Sequence, residues 1–304
     1  MKNRTEGLAI VMEGLMKQYS ERVPDVERII AGMLSKGIIK DLAEIENDHI
    51  AFRTIGIPLL GIQSLEKIFC HYGYEKKDYF RFEGKKLDAY WFAPPSPKFP
   101  RIFISELKVE ELSQEAQSII LSYTNEIKAD PLDALDLDNP HAVAAFLHTP
   151  LWRLPKRSDY LRLLEESEYA SWVIYNRYYL NHYTISVHQL KEGYNTLEQF
   201  NQFLESIGIQ LNDAGGKTKV SGDGLLLQSS TVAQIITAAF DNNETHDIAG
   251  SYVEFAERRV LPAFENIPKT ELQRSHFRDG FETSNADKIF ESTFTDQVLK
   301  KDRN

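Results

Sequence analysis

The element order strand, helix, strand, strand, strand occurs twice in this chain, and that repetition constrains the fold more than any other feature. Strands are read from a side-chain period of two and helices from 3.6. The first copy runs through a strand at 50–55, a helix at 64–71, strands at 79–82 and 87–92, and a strand at 101–107. The second has a strand at 183–188, a helix at 196–207, a glycine-broken stretch at 217–224, and strands at 225–229 and 252–255. Gln63-Ser64-Leu65-Glu66-Lys67-Ile68-Phe69 and Asn195-Thr196-Leu197-Glu198-Gln199-Phe200-Asn201 hold equivalent places, as do Ile104-Ser105-Glu106-Leu107 and Tyr252-Val253-Glu254-Phe255. Two such modules close into a curved sheet whose concave face collects residues from the first and last strand of each copy. Those four places hold His49, Glu106, His182 and Glu254.

The rest of the chain reads as covering for this cup. Residues 1–47 are a helical scaffold: Val26, Ile29, Ile30, Met33 and Leu34 follow a helical stripe, and Pro24 sits where a first turn tolerates it. Residues 48–110 are the first module and 179–260 the second. Between them 111–178 is a helical, acidic insertion, broken where Pro131, Pro140, Pro150 and Pro155 disfavour helix in their predecessors. Residues 261–304 close the chain, and the polar run Arg278-Asp279-Gly280-Phe281-Glu282-Thr283-Ser284-Asn285 is placed to fold over the cup. The expectation is one α+β domain over residues 1–304, with 42% apolar residues to fill its core. A net charge of −10, from 45 acidic and 35 basic residues, argues against a nucleic-acid partner. No run reaches the roughly 18 apolar residues of a membrane span, and no signal-peptide core precedes the first helix. A cytoplasmic protein is expected. Cys70, the single cysteine, reads as a core residue on the buried side of its helix.

Chemistry concentrates on the strands. In Asp48-His49-Ile50-Ala51-Phe52-Arg53-Thr54 the period of two puts His49, Ala51 and Arg53 on one face. His182 and Glu254 come from two further strands, and two histidines with one carboxylate match the ligand set of non-heme Fe(II) oxygenases. A lone strand histidine is more often a structural residue; the coincidence at equivalent places in a duplicated unit changes that weighting. His182 and His188 share a face but stand roughly 20 Å apart, too far for one ion. His182 is preferred because it begins its strand as His49 does. Glu254 and Glu257 face opposite sides, and Arg258 and Arg259 are expected to flank Glu257 at the surface. Glu106 is a candidate fourth ligand, or a buried carboxylate that orients a histidine or a water. Arg53 offers a planar fork for a substrate carboxylate, or a salt bridge to Asp48 or Glu106.

Other apparent motifs fail. Gly215-Gly216-Lys217-Thr218 lacks the first glycine of a phosphate loop and a preceding strand. His141 and His148 stand about 10 Å apart along a helix. Gln228-Ser229-Ser230-Thr231 has no nucleophile elbow.

The stretches around His49 and Arg53, Phe103-Ile104-Ser105-Glu106-Leu107, Asn181-His182-Tyr183-Thr184 and Tyr252-Val253-Glu254-Phe255-Ala256-Glu257-Arg258 resemble the 2-oxoadipate dioxygenase/decarboxylase family of bacteria and plants. That family is distantly similar to vicinal-oxygen-chelate enzymes such as 4-hydroxyphenylpyruvate dioxygenase. The resemblance covers most of residues 40–290. It implies a vicinal-oxygen-chelate-like cup, iron ligands at His49, His182 and Glu254, and a substrate-carboxylate contact at Arg53. This chain is shorter than the characterised enzymes, with less sequence after the third ligand.

The resulting expectation is an Fe(II)-dependent dioxygenase that takes a 2-oxo dicarboxylic acid and dioxygen. With 2-oxoadipate it would give 2-hydroxyglutarate and CO2, a step of lysine breakdown. One rival is a glyoxalase-like isomerase or hydrolase on the same fold, using zinc or nickel with Glu106 as fourth ligand or base. Another is a non-catalytic module that binds a small acid.

Overall fold

The computed structural model describes residues 2–301. Two helices lead, α1 (Lys2–Arg22) and α2 (Pro24–Ser35), the second with Pro24 in its first turn. The first module follows as β1 (Asn47–Gly56), α3 (Ile62–His71), β2 (Glu75–Phe82), β3 (Leu87–Ala93) and β4 (Arg101–Lys108). Four helices fill the insertion: α4 (Gln114–Thr124), α5 (Pro140–Phe146), α6 (Arg157–Glu166) and α7 (Glu168–Asn176). The second module is β5 (His182–Ser186), α8 (Leu197–Ser206), β6 (Lys219–Val220), β7 (Leu226–Ser230) and β10 (Tyr252–Arg258). It is interrupted by a separate hairpin of β8 (Ile235–Ala239) and β9 (Thr245–Ala249), which the sequence pattern did not reveal. The described chain ends with α9 (Thr283–Phe290) and α10 (Thr295–Lys301).

The main sheet has the strand order β2-β3-β4-β1-β5-β10-β7-β6. Each half repeats one arrangement, because β1 pairs with β4 in parallel and β5 pairs with β10 in parallel. The halves meet where β1 and β5 run antiparallel. The duplication read from element order is therefore a pseudo-twofold about this seam.

Alternation along the central strands divides the core. Ile50, Phe52, Ile102, Ile104, Val253 and Phe255 face the layer of α1, α2, α3 and α8. Ala51, Ile55, Phe103 and Leu107 face the opposite layer, with Tyr123 of α4, Leu163 of α6, Trp172 of α7 and Phe290 of α9. Strands covered on both sides bury nearly every residue, as β1 and β10 do. Two outward positions differ from expectation. On α3 the buried stripe is Ile62, Leu65, Ile68 and Phe69, which turns Cys70 out to solvent. On α2 Leu34 is exposed beyond Met33. No helix among the described residues is long and apolar enough to cross a membrane.

Candidate metal centre

His49 on β1 and His182 at the start of β5 meet across the seam, where Ala51 lies opposite His182. Each follows a short polar residue that turns back onto its ring. His49 Nδ1 is 2.8 Å from Asp48 Oδ1, and His182 Nδ1 is 2.9 Å from Asn181 Oδ1. Those oxygens only accept, so each Nδ1 carries a proton and each Nε2 turns into the cup, where it can share a proton with Glu254 or present its lone pair to an ion. There His49 Nε2 lies 3.0 Å from Thr184 Oγ1.

Glu254 completes the group from β10. It lies two residues past Tyr252, the β-partner of His182. Its Oε2 is 3.1 Å from His182 Nε2 and its Oε1 is 3.4 Å from His49 Nε2. All three residues are buried, and their ligand atoms lie within 4.8 Å of one another. Ligands about 2.1 Å from a first-row metal at right angles stand roughly 3 Å apart, so the donor set fits one divalent ion. Among the described residues no other group of three such side chains is gathered this way.

The electrostatics of the trio are those of a cation site. Burial would push the Glu254 carboxyl up, yet the fields of His49 and His182 and their hydrogen bonds outweigh it and hold it well below the usual carboxylate range. Burial likewise pulls both imidazoles down. At His49 the charge of Glu254 and the bond to Asp48 win, and its pKa is raised; at His182 burial wins, and its pKa is lowered. A metal ion would take the place of the proton that the group shares.

Around the trio lies a cavity of about 20 Å³, with walls from Phe103, Phe281, Ala286, Ile289 and Phe290 and polar edges at Gln228 and Tyr252. Phe281 stacks edge-on against His49, with ring centroids 4.8 Å apart. Phe281 and the α9 residues come from the segment expected to fold over the cup.

Strand register explains why the duplicated cup offers three candidate ligands and not four. His182 pairs with Tyr252, so Glu254 stands two residues beyond its partner. In the first module His49 pairs with Arg101, and the residue two beyond is Phe103. Phe103 therefore holds the place that Glu254 holds in the second module. Glu106 is not there. It pairs with Thr54, roughly 17 Å along the strand from His49 and on the opposite face. Its Oε2 accepts from Ile62 N at 2.8 Å, at the start of α3. Glu106 is neither a fourth ligand nor a base in this cup.

Two arginines also settle differently from the sequence reading. Arg258 is fully buried, not at the surface. Its Nε and Nη2 reach Asp48 Oδ2 and Oδ1 at 2.6 and 2.9 Å, and its Nη1 donates to the carbonyls of Arg278 and Gly280 at 2.9 and 2.8 Å. It thus ties the residue behind His49 to the segment that carries Phe281. Glu257 does face away from Glu254, accepting from Leu197 N at the start of α8. Arg53 is buried on the His49 face but makes no salt bridge to Asp48 or Glu106. Its Nη1 and Nη2 donate to Thr293 Oγ1 at 3.0 Å and to the Phe290 carbonyl at 3.2 Å. Its guanidinium lies behind Phe290 and beside the Tyr252 hydroxyl, one layer from the cavity. His188 stays outside the trio, receiving the Arg258 amide at 3.2 Å. Sequence reasoning passed over Asp48 and Asn181 as supports, although an acceptor just before each histidine was a visible signal. Gln228 and Phe103 carried no signal.

A pseudo-twofold cup with two imidazoles and a carboxylate on its concave face is a glyoxalase-like fold that carries a candidate metal site. A glyoxalase-superfamily protein from Ralstonia eutropha, 20% identical, shares this fold with a TM-score of 0.72 over 90% of this chain and 84% of its own. The family model for 2-oxoadipate dioxygenase/decarboxylase matches residues 11–267, and the chain belongs to that family. The chloroplastic 2-oxoadipate dioxygenase/decarboxylase of Arabidopsis thaliana is 48% identical over 265 residues, 84% of this chain and 70% of that protein. The crystal structure of the hydroxyglutarate synthase from Oryza sativa in complex with 2-oxoadipate is 42% identical, with a TM-score of 0.87 over 98% of this chain and 96% of its own.

Proposed function

We propose that this protein converts 2-oxoadipate and dioxygen into 2-hydroxyglutarate and CO2, using Fe(II) held by His49, His182 and Glu254. The observation that carries the reading is the three-ligand set beside a cavity wall that adds no further acid or imidazole. Such a set would leave room on a bound ion for a chelating 2-oxo acid and dioxygen. The isomerase and hydrolase alternative relied on a fourth ligand or base, and Phe103 occupies that place.

The metal, when bound, supplies chelation of the 2-oxo acid and electron exchange with dioxygen. The chain's own residues do the rest. Asp48 and Asn181 hold the two rings in the tautomer that presents Nε2. Phe103, Phe281 and Phe290 keep bulk water from the reacting carbons. The substrate provides the electrons, so no residue need act as a general base. The balance closes: the C1–C2 bond breaks to release CO2, the O–O bond is split, one of its atoms enters the new carboxylate, and the other inserts into a C–H bond of the adjacent carbon to give the hydroxyl. Arg53 is the proposed partner of the distal carboxylate, reached by exchanging its bonds to Thr293 and Phe290 for substrate oxygens.

The test is oxygen uptake by Fe(II)-loaded protein across 2-oxoadipate, 2-oxoglutarate and related 2-oxo acids, with product mass recorded. Uptake matched by CO2 and a hydroxy acid one carbon shorter is expected, greatest with 2-oxoadipate. Turnover of a small acid by the zinc-loaded protein under nitrogen would instead favour the isomerase or hydrolase.

A further inference from the structure

We propose that Gln228 and Asn285 form a positioning relay that selects which oxygen of Glu254 meets the metal and makes that selection depend on the seating of α9. The proposal rests on the metal reading above. Gln228 on β7 is buried, and its Nε2 donates to Glu254 Oε1 at 2.6 Å. Asn285 on α9 is also buried, and its Nδ2 stands 3.0 Å from Gln228 Oε1.

The amide orientations follow by exclusion. Asn285 Nδ2 also faces the carbonyls of Leu226 at 3.2 Å and Lys219 at 3.5 Å. Carbonyls only accept, so Asn285 must present its NH2 to this corner. Gln228 must then present its oxygen to Asn285 and its NH2 to Glu254. With Oε1 held by that N–H, Oε2 is left as the metal's partner, which favours coordination through one oxygen and leaves the other positions open.

The relay reaches the lid of the cavity in one step. The same helix that carries Asn285 also carries Ala286, Ile289 and Phe290 of the cavity wall. A cavity of about 20 Å³ has room for about one water molecule. A dicarboxylic acid needs more room than this, and an outward shift of α9 that supplied it would draw Asn285 from Gln228 and free the amide to turn. Closing α9 restores the donor on Oε1.

The test is Co(II) affinity by titration calorimetry and the visible spectrum of the Co(II)-loaded protein, read for Gln228→Leu, Asn285→Leu and their double variant. Loss of a supporting hydrogen bond behind a ligand typically costs about 10–100-fold in affinity. Gln228→Leu is expected to weaken Co(II) binding by about that factor and to alter the spectrum. Asn285→Leu is expected to weaken binding in the natural background and to add nothing in the Gln228→Leu background, which a merely structural role would not produce. Asn285→Asp, nearly isosteric but unable to donate, covers the case in which the leucine variant does not fold; it should weaken binding at least as far. Unchanged affinity in the Asn285 variants, or independent losses that multiply in the double variant, would overturn the relay. A natural protein that binds no Co(II) would overturn the metal reading itself.

Discussion

Asp48→Asn separates two jobs that the structure gives to one carboxylate. Asp48 balances the charge of Arg258 through two hydrogen bonds of 2.6 and 2.9 Å, and both side chains are 1% exposed. It also accepts from His49 Nδ1. Removing one partner of a buried ion pair costs about 3–5 kcal/mol. Arg258 keeps two carbonyl acceptors, at Arg278 and Gly280, so the low end applies. For a chain of this size each kcal/mol moves the midpoint by roughly 2 °C, giving a fall of about 6 °C. Metal affinity should behave differently, because asparagine at 48 reproduces the Asn181 and His182 arrangement of the second module. We expect a change under about tenfold for Asp48→Asn and about 10–100-fold for Asp48→Leu, which also removes the acceptor. The pair has a pH signature. Burial pushes the Asp48 carboxyl up, but Arg258, Arg101 and the bond from His49 outweigh it and hold it well below the ordinary value of 3.8. Its contribution is therefore present above pH 3.8 and is lost as pH falls below it through the depressed value; the variant should unfold with a shallower acid limb. Thermal unfolding of the metal-free protein and calorimetric titration of Zn(II) read both effects. An unchanged midpoint, or equal metal losses in the two variants, would refute this division of roles.

Other outcomes follow from the same geometry. Phe103→Glu places a carboxylate where the second module has Glu254, and it should tighten Zn(II) binding while cutting oxygen uptake by about tenfold or more, measured by calorimetry and an oxygen electrode. Arg53→Ala should raise KM for dicarboxylic 2-oxo acids and leave that for monocarboxylic ones little changed; an equal rise for both would show that Arg53 only secures Phe290 and Thr293. Metal at about 100 times its Kd should stabilise the protein by about 2.7 kcal/mol, an upward midpoint shift that chelator or Glu254→Ala abolishes in a thermal scan.

The three candidate ligands were legible because parity on a strand is a hard geometric rule, and His49, His182 and Glu254 each sit on a stretch whose strand character could be read. Glu106 misled for a related reason. Matching Ile104-Ser105-Glu106-Leu107 to Tyr252-Val253-Glu254-Phe255 aligned two look-alike stretches whose true register differs by three residues, as the pairing of His49 with Arg101 shows. An odd slip moves a side chain to the opposite face, and so Phe103 faces the metal cup while Glu106 ends at α3. Arg258 read as a surface charge because a sequence cannot show that Asp48, 210 residues away, would neutralise it in the core. The covering segment had no strong period of its own. Its seat comes from Arg258, Arg53 and Asn212, which hold the Gly280, Phe290 and Lys288 carbonyls from elsewhere in the chain. The hairpin of β8 and β9 was missed because Ile235-Ile236-Thr237-Ala238-Ala239 has little alternation to read.

The most direct test of the account is isotope tracing with 18O2 and 2-oxoadipate on the Fe(II)-loaded protein, with the product resolved by mass spectrometry. The account predicts that both labelled atoms are retained, one in the hydroxyl and one in the new carboxylate, with unlabelled CO2 released. A product whose new oxygen comes from water, or one formed without dioxygen, would contradict it.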